Sequence, residues 1–458
     1  KNHDGYEATG VNVEAGIVNQ KWADRLAVHG YFAQYDKEIP HNQVMTAPYG
    51  EVTSQRQSMG ATLQYAVTPH ERLKLSATAG FNRRYASLVD VAKCIYDWYG
   101  ACVSQRLNGG EIANVPQDLK TRFDTLFGRA RATVSTWRPE DLELSVGVDH
   151  YWRAGRNAWL RDLGLRDPLA VRVSMTSATL GASHRQTLFD RRLENVIFVK
   201  GYLQDAHLGE GSTIATPDRT SFSGGAGDTL RFSATRHLLF KASYEYAARL
   251  PRADELFGDG AFLLENPELQ PERSHNANLA VELISQPSPV GHFSANVLGS
   301  VRAIENLVVL ITNDQTQRYE SIGQARSLAL HGGLGWTSPG RWLALGGNVV
   351  FTDYRNLSEE GPFSLFKGDR IPYRPWLQAA ASATFRAPDL FAQGDALSVE
   401  WNTRYVHAFF RAWETAGAAD TKQVVPSQLL HFASVTYRVP WQQRTFSASL
   451  AVNNLTDT

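Results

Sequence analysis

The 458-residue sequence lacks the long apolar run of a membrane-spanning helix, because nowhere do 18 apolar residues follow one another. It also lacks a recognisable signal peptide, since the first residues, 1–5, are polar. We therefore expect a mature or trimmed segment and not a complete precursor. An excess of one charge is lacking too: 46 Lys and Arg balance 46 Asp and Glu, which gives no argument for a nucleic-acid partner.

Cysteine is almost absent, with Cys94 and Cys102 as its two occurrences. The residues between them have the composition of a loop, so the two thiols either form a disulfide or are unrelated free cysteines. We predict the disulfide, which would stabilise a short closed loop by about 2–3 kcal/mol and would imply an oxidising compartment such as the periplasm or the cell surface. No Cys or His pair has the spacing of zinc ligands, and we expect neither a metal site nor a cofactor.

Catalytic motifs are missing as well. The sequence contains no G-x-S-x-G, no H-E-x-x-H and no phosphate-binding P-loop. The Gly-rich stretch 223–227 precedes an alternating segment and not a helix, so we interpret it as a kink or a close approach within a sheet. We therefore predict that the protein is not an enzyme, since a hydrolase would need a Ser/His pair and nothing in the sequence singles one out.

The sequence is rich in alternation between apolar and polar residues. Every second residue is apolar in 59–67, and the same period resumes after a turn in 73–81. Similar segments occur at 142–149 and 446–453. A period of two is typical of β-strands that have one apolar and one polar face.

The lengths of the connections decide between a soluble sandwich and a membrane barrel. Short turns are predicted at 19–24, 67–72, 137–141, 189–193, 235–238, 285–292, 337–341, 387–396 and 439–444. Long polar stretches between them are predicted at 34–57, 84–124, 153–167, 205–220, 251–275, 312–323, 353–375 and 407–428. Bacterial outer-membrane barrels have this asymmetry, with short periplasmic turns and long extracellular loops.

We therefore predict an all-β fold, a transmembrane antiparallel up-and-down β-barrel in the outer membrane of a Gram-negative cell. Bilayer lipid offers peptide groups no hydrogen bond, so the native sheet must have no free edge. Nine short turns imply about 18 strands within residues 1–458. Aromatic residues near the strand ends are candidates for the girdles at the membrane interfaces. They are Tyr31, Tyr35, Phe81, Tyr85, Tyr151, Trp152, Tyr244 and Tyr246.

Three spaced motifs lie in the second half of the chain. The stretch 249–274 contains RLP, then ELF, then NPELQPERS; 370–375 is RIPYRP and 452–457 is VNNLTD. These motifs and their order resemble the TonB-dependent outer-membrane receptors. The prolines fix φ and hold the preceding residues extended, so we interpret the motif as architecture of the barrel mouth. The matching positions are Arg249, Pro251, Glu255, Asn266, Pro267, Pro271, Glu272, Pro372, Asn454 and Leu455.

The resemblance implies a larger protein than the 18 strands counted here. Receptors of this family have 22 strands, an N-terminal plug domain and a short box that binds TonB, and neither plug nor box is recognisable in this chain. We expect three strands and the plug upstream of Lys1 and one strand beyond Thr458. The alternative is a smaller closed barrel of about 18 strands.

The function that the resemblance implies is active import of a scarce ligand, energised through TonB. Iron–siderophore complexes are the commonest ligands of such receptors and the expected class here. The alternatives are a passive porin or a surface receptor barrel that binds a protein partner. A soluble β-propeller would need a regular internal repeat, which is not seen.

Ligand-binding residues are expected in the extracellular loops, where aromatic and polar side chains share a concavity. The first candidate set surrounds the two cysteines, and the other two lie in later loops. In this order the candidates are Tyr96, Trp98, Tyr99 and Arg106; Phe409, Arg411 and Trp413; Phe363, Lys367 and Arg370.

Overall fold

The structure is a computed structural model that describes residues 3–42, 45–112, 114–137, 140–165, 167–209, 218–259, 263–312, 317–416, 424–442 and 444–456. Its strands are β1 Tyr6–Gln20, β2 Ala23–Glu38, β3 Thr53–His70, β4 Leu73–Asp90, β5 Cys94–Tyr96, β6 Cys102–Gln105, β7 Gln117–Trp137, β8 Glu140–Asn157, β9 Val173–Leu188, β10 Leu193–Leu208, β11 Asp218–Ser233, β12 Leu238–Arg249, β13 Leu263–Leu264, β14 Glu272–Ile284, β15 His292–Thr312, β16 Gln317–Thr337, β17 Leu343–Asn356, β18 Leu377–Pro388, β19 Ala396–Val406, β20 Phe409–Phe410, β21 Val424–Val425, β22 Gln428–Trp441 and β23 Arg444–Asn453.

Helices are few and short. The α-helices are α1 Ala158–Asp162 and α2 Ala253–Phe257, and 3-10 turns lie at Pro168–Ala170 and Ser364–Phe366. None of the helices in the described ranges is long and apolar enough to span a membrane.

One sheet of 19 strands contains almost all of the regular structure. Strand β13 joins it through a two-residue parallel pairing with β16, and the other 18 strands form an antiparallel meander in which consecutive strands pair. Each of the nine predicted turns joins two strands of this meander, so the predicted all-β barrel architecture and its strand number are confirmed. In the described residues β1 pairs with β2 and β23 pairs with β22, and no ladder joins β1 to β23.

The two faces of the sheet differ as the alternation predicts. Leu63, Leu144 and Val199 are 46, 49 and 54% exposed and lie on the outer face. The inner face carries charged pairs between nearby strands, such as Lys200 of β10 and Glu245 of β12, which are 2.7 Å apart across β11. The outer wall is therefore apolar along these segments, and cross-strand ion pairs lie on the lumen side, as expected of a membrane-spanning barrel.

The strands continue beyond the segments that alternate. The prediction of a long polar stretch at 312–323 is wrong, because β15 and β16 are 21 residues each and leave 313–316 between them. Beyond the bilayer both faces of a strand meet water or loops, so the ladder persists although the alternation ends. For the same reason the stretch predicted at 84–124 contains strand residues at both of its ends, and the connection proper covers 91–116.

The register also corrects the predicted aromatic girdles. Phe81, Tyr85, Trp152, Tyr244 and Tyr246 fall on the outer face, in register with the apolar side chains of neighbouring strands. Tyr31, Tyr35 and Tyr151 point inward instead, and the Tyr31 hydroxyl donates to the inner-face Asn82 at 3.2 Å. Position near a strand end was insufficient to predict which aromatic side chains face outward, because a shift of one residue exchanges the two faces of a strand.

Candidate functional site

The loop between β12 and β14, residues 250–271, is the motif loop. Its helix α2 begins after Arg252, whose N–H donates to Glu255 Oε2 at 2.9 Å. Arg249 Nη1 donates to both oxygens of Glu255, at 3.0 and 2.9 Å. The Glu255 carboxylate is 2% exposed, so this ion pair joins the end of a strand to the first turn of a helix.

A second carboxylate fixes the return of the motif loop to the sheet. Glu272, the first residue of β14, accepts from Arg302 Nη2 at 2.6 Å and lies 3.5 Å from Arg249 Nε. Pro251 is fully buried, and its carbonyl accepts from Gln204 Nε2 at 2.8 Å. The two ends of the motif loop are thus bound to the wall by buried polar contacts.

The motif loop lies inside the lumen and contacts strands that are distant in the sheet. Arg153 of β8 donates to the carbonyls of Phe257 and Gly258, at 2.7 and 2.9 Å. Asn266 Nδ2 donates to the carbonyl of Tyr319 in β16, at 2.8 Å. Leu256, Phe257 and Leu269 belong to a buried cluster with residues of β9, β10 and β15.

Cys94 and Cys102 form a disulfide in the hairpin of β5 and β6, which confirms the predicted pairing. The Tyr96 hydroxyl of this hairpin donates to Glu51, and Arg106 donates to the Cys94 carbonyl. Trp98 and Tyr99 lie at its tip and are 57% and 87% exposed. Of the first candidate set, Tyr96 and Arg106 therefore hold the hairpin, and the two tip residues have most of their surface exposed to solvent.

The other two candidate sets lie together in one cluster, which is largely closed to ligand. Trp413 is 8% exposed and stacks on Phe366 with ring centroids 5.0 Å apart, and Phe363 packs beside it. Arg370 contacts Asp353 at 3.1 Å and Glu414 at 3.3 Å. The remaining members of these sets are Phe409, half-buried in β20, Arg411, half-buried, and Lys367, which is exposed and paired with Glu359 at 2.6 Å.

The barrel and its motif loop are similar to those of a known protein family. Residues 2–455 match the profile of the family described as TonB dependent receptor-like, beta-barrel. The chain belongs to the TonB-dependent receptor family. Because these receptors are transporters located in the outer membrane, the predictions of family, location and absence of enzymatic activity are confirmed. No curated protein sequence matches the chain significantly.

Solved structures of receptors share the fold at low sequence identity. BauA, the ferric preacinetobactin receptor of Acinetobacter baumannii, matches with a TM-score of 0.70 and 12% identity over 99% of this chain and 70% of its own. The FrpB iron transporter of Neisseria meningitidis (F5-1 variant) matches with 0.72 and 14% over 99% and 69%. The copper transporter OprC matches with 0.74 and 14% over 100% and 68%.

A concavity of about 850 Å³ in the receptor wall is not a ligand site. It is lined by Leu75, Ala130, Leu144 and Leu180 among others, which share the outer face. Small residues such as Ala130 create the depression between the larger apolar side chains of the outer face. The lining alone suggests a binding pocket, but the register places this pocket on the lipid side.

Several residues that organise the loops belong to no motif that the sequence reveals. Glu111 is 6% exposed and accepts from the N–H groups of Gly50 and Glu51, at 2.6 and 2.8 Å. The Glu111 N–H in turn donates to Asp90 at 2.6 Å. Glu111 thereby joins two loops that are 60 residues apart in sequence. Such a contact can be recognised only when the packing of the two loops is known. Among the described residues, no group of three or more His, Cys, Asp or Glu is placed to hold a metal ion.

The Glu111 contact predicts a pH-dependent stability of the loops. Burial raises the pKa of the Glu111 carboxyl, and nearby Asp90 raises it further, against backbone hydrogen bonds that lower it. The folded state therefore holds the proton more tightly than the unfolded state, whose glutamate pKa is about 4.3. We expect the contribution of Glu111 to stability to be complete below that pH and to decline as the pH rises through the raised pKa.

The measurement compares thermal unfolding of the wild type and Glu111→Gln between pH 4 and pH 7. The stability advantage of the wild type should shrink as the pH rises. Glu359→Gln is the control, because Lys367 lowers the pKa of Glu359 and reverses the sign of the effect. Parallel wild-type and Glu111→Gln curves over this range would rule out the assignment.

Proposed function

We propose that the protein imports iron bound to a small organic chelator across the outer membrane. The family match over residues 2–455 carries the import function. The iron–siderophore class is supported by two of the structural neighbours, one a ferric preacinetobactin receptor and one an iron transporter. In this proposal the long loops face the exterior, the short turns face the periplasm, and TonB acts through a plug.

The proposed ligand contact is the tip of the disulfide hairpin. Trp98 and Tyr99 present rigid aromatic surface that costs little conformational entropy on binding, and the disulfide holds this surface in place. We propose that the cluster around Trp413 and Arg370 is scaffold, since its aromatic and charged groups already contact one another. The ten motif positions are proposed to be structural, as the buried contacts of Glu255 and Glu272 indicate.

The test of import is uptake of radioactive iron in iron-starved cells that produce the full-length receptor. Uptake of ferric chelates should stop when TonB is depleted or the proton gradient is collapsed. Survival of uptake without TonB would support the passive-porin alternative instead. A receptor for a protein partner would bind that partner and show no energy-dependent uptake of any chelate.

The hairpin tip has its own expected result. Trp98→Ala/Tyr99→Ala should weaken binding of the transported chelate about tenfold or more, because two exposed aromatic contacts of about 1 kcal/mol each are lost. The maximal uptake rate should change little, which separates a binding role from a structural one. Phe189→Ala is the matched control, since Phe189 is 71% exposed but lies in a short turn at the other end of the barrel. Equal loss in both variants would refute the assignment.

We propose further that additional strands of the native protein pair with β1 and β23. Every residue of β1 and of β23 is exposed, and unpaired edge groups are not tolerated in lipid. Cysteines placed on β1 and β23 of the full-length receptor provide a test. Disulfide formation directly between these two strands would favour the smaller closed barrel.

A further inference from the structure

Four cations lie together on the outer wall of the barrel and are here called the outer cationic patch: Lys120, Arg122, Arg156 and Arg172. Lys120 and Arg122 share the outer face of β7 with Leu126, which is 53% exposed, and Arg156 shares the outer face of β8 with Val148. All four members of the patch are exposed. They therefore point away from the lumen and toward the surroundings of the barrel.

The aromatic girdle fixes the depth of the patch in the membrane. Phe81 and Trp152 lie on the outer face with ring centroids 6.2 Å apart, and the Arg83 guanidinium lies over the Phe81 ring at 5.4 Å. Arg156 follows Trp152 by four residues, which is about 13 Å along the strand and about 10 Å along the membrane normal at a tilt of roughly 40°. The long side chain of Arg156 spans part of this distance between its backbone and the girdle. Its guanidinium therefore lies at the depth of the lipid headgroups.

Three of the four patch cations lack the counter-charge that the fourth, Arg122, shares with the adjacent Arg83. Arg83 and Arg122 contact the fully buried Asp124 at 2.6 and 2.9 Å. In the described part of the chain, by contrast, no carboxylate lies within 4.0 Å of Lys120, Arg156 or Arg172, and among the residues lining the cavity beside them one, Asp36, is acidic.

Two members of the patch repel each other across the sheet. Lys120 and Arg156 are direct cross-strand partners of β7 and β8. Like charges at such positions destabilise a sheet, unless an anion lies between them. The cavity beside them encloses about 730 Å³ and also presents the hydrogen-bonding side chains of Gln55, Gln57 and Tyr85.

We infer that the outer cationic patch binds the phosphate groups of a lipid headgroup in the outer leaflet. Charge complementarity supports this occupant, because a phosphate monoester carries about −1.5 to −2 charges at neutral pH and four cations suit a lipid with more than one. The depth supports it as well, since the groups around the barrel at this level are headgroups. The inference rests on the proposed orientation with the loops outside, but the binding itself can be measured without reference to import.

The test uses the full-length receptor, purified in zwitterionic detergent, and three probes. These are an acylated glucosamine disaccharide with two phosphate monoesters, the same lipid after dephosphorylation, and inorganic phosphate. Wild-type receptor should bind the phosphorylated lipid at least tenfold more tightly than its dephosphorylated form. This affinity should fall as salt is raised from 50 to 300 mM, and inorganic phosphate should compete weakly. If wild-type receptor bound the two lipids equally, this result would by itself overturn the inference.

The variant K120Q/R156Q/R172Q removes the three cations that lack a carboxylate partner. It should bind the phosphorylated lipid at least tenfold more weakly, and TonB-dependent uptake measured in parallel shows whether import is a separate property. The matched control is K21Q/R191Q/R236Q, which also removes one lysine and two arginines, all from short turns at the other end of the barrel. Unchanged affinity in the first variant, or an equal loss in the control, would contradict the assignment. Competition by inorganic phosphate at the same concentration as the lipid would assign the patch to free phosphate.

Discussion

Replacing Trp413 with alanine is expected to lower the free energy of unfolding by about 3–5 kcal/mol. The indole is 8% exposed and stacks on Phe366 with the two ring planes 2° from parallel. It also packs in a cluster with Ile371 and Tyr354, so its removal leaves a cavity between two loops and the end of the sheet. Urea unfolding of the receptor in detergent, followed by circular dichroism, measures the change.

Trp98→Ala is the matched control for this experiment. Both tryptophans were candidates for ligand contact, but the Trp98 side chain is 57% exposed at the hairpin tip. Its replacement should change the free energy of unfolding by less than about 0.5 kcal/mol and should affect ligand binding instead. A Trp413→Ala receptor with wild-type stability and impaired binding would show that Trp413 is a ligand contact and not part of the scaffold.

Glu255→Ala should have the second large effect, a loss of about 3 kcal/mol. Removing one partner of a buried ion pair costs 3–5 kcal/mol, and the lower end applies because the Arg249 side chain is 39% exposed and solvent screens its charge. The same substitution removes the hydrogen bond that Glu255 accepts from the backbone N–H of Arg252, the residue before α2. The motif loop should consequently leave the lumen more readily, which amide hydrogen exchange of residues 253–257 would detect.

An exposed ion pair provides the control for Glu255. Glu359 pairs with Lys367 at 2.6 Å, but the two side chains are 73% and 51% exposed. Glu359→Ala should change the free energy of unfolding far less than Glu255→Ala and should leave hydrogen exchange of residues 253–257 unchanged. If both variants behave alike, the contacts around Glu255 contribute no special stability, and their structural interpretation fails.

The barrel was predictable because its determinants are local. The period of two in segments such as 59–67 and 73–81 assigns faces, and short turns assign strand ends. The paired cysteines were predictable because 94 and 102 lie close in sequence, and the motif around Glu255 and Glu272 because its spacing is specific. All of these features depend on residues that are neighbours along the chain.

The candidate site was predicted less well because loop residues were ranked by type. Trp98 and Trp413 both looked like aromatic contacts, yet one lies at the tip of a hairpin and the other lies under a neighbouring loop. Residue type describes what a side chain can contact, and only packing determines what remains exposed. The contact of Glu111 with Gly50 joins two different loops, so no pattern within either one predicts it.

The outer cationic patch shows where sequence ceases to be sufficient. The predicted turn at 137–141 indicates that β7 pairs with β8, but it does not determine which residues lie opposite each other. An irregularity between Ser135 and Trp137 shifts the register of the two strands. This shift brings Lys120 opposite Arg156. A single-residue offset of this kind arises from how the strands twist and pack, and it is invisible in alternation alone.

By itself, then, the sequence determined the membrane-spanning sheet, the short turns and long loops that connect its strands, and the family of the protein. Each of these features depends on residues that are close together along the chain. Which aromatics stay in contact with solvent, which loop enters the lumen and which charges meet on the outer wall were decided by tertiary structure. These outcomes depend on distances between segments up to 105 residues apart, and such distances exist only after the sheet has curved and the loops have packed.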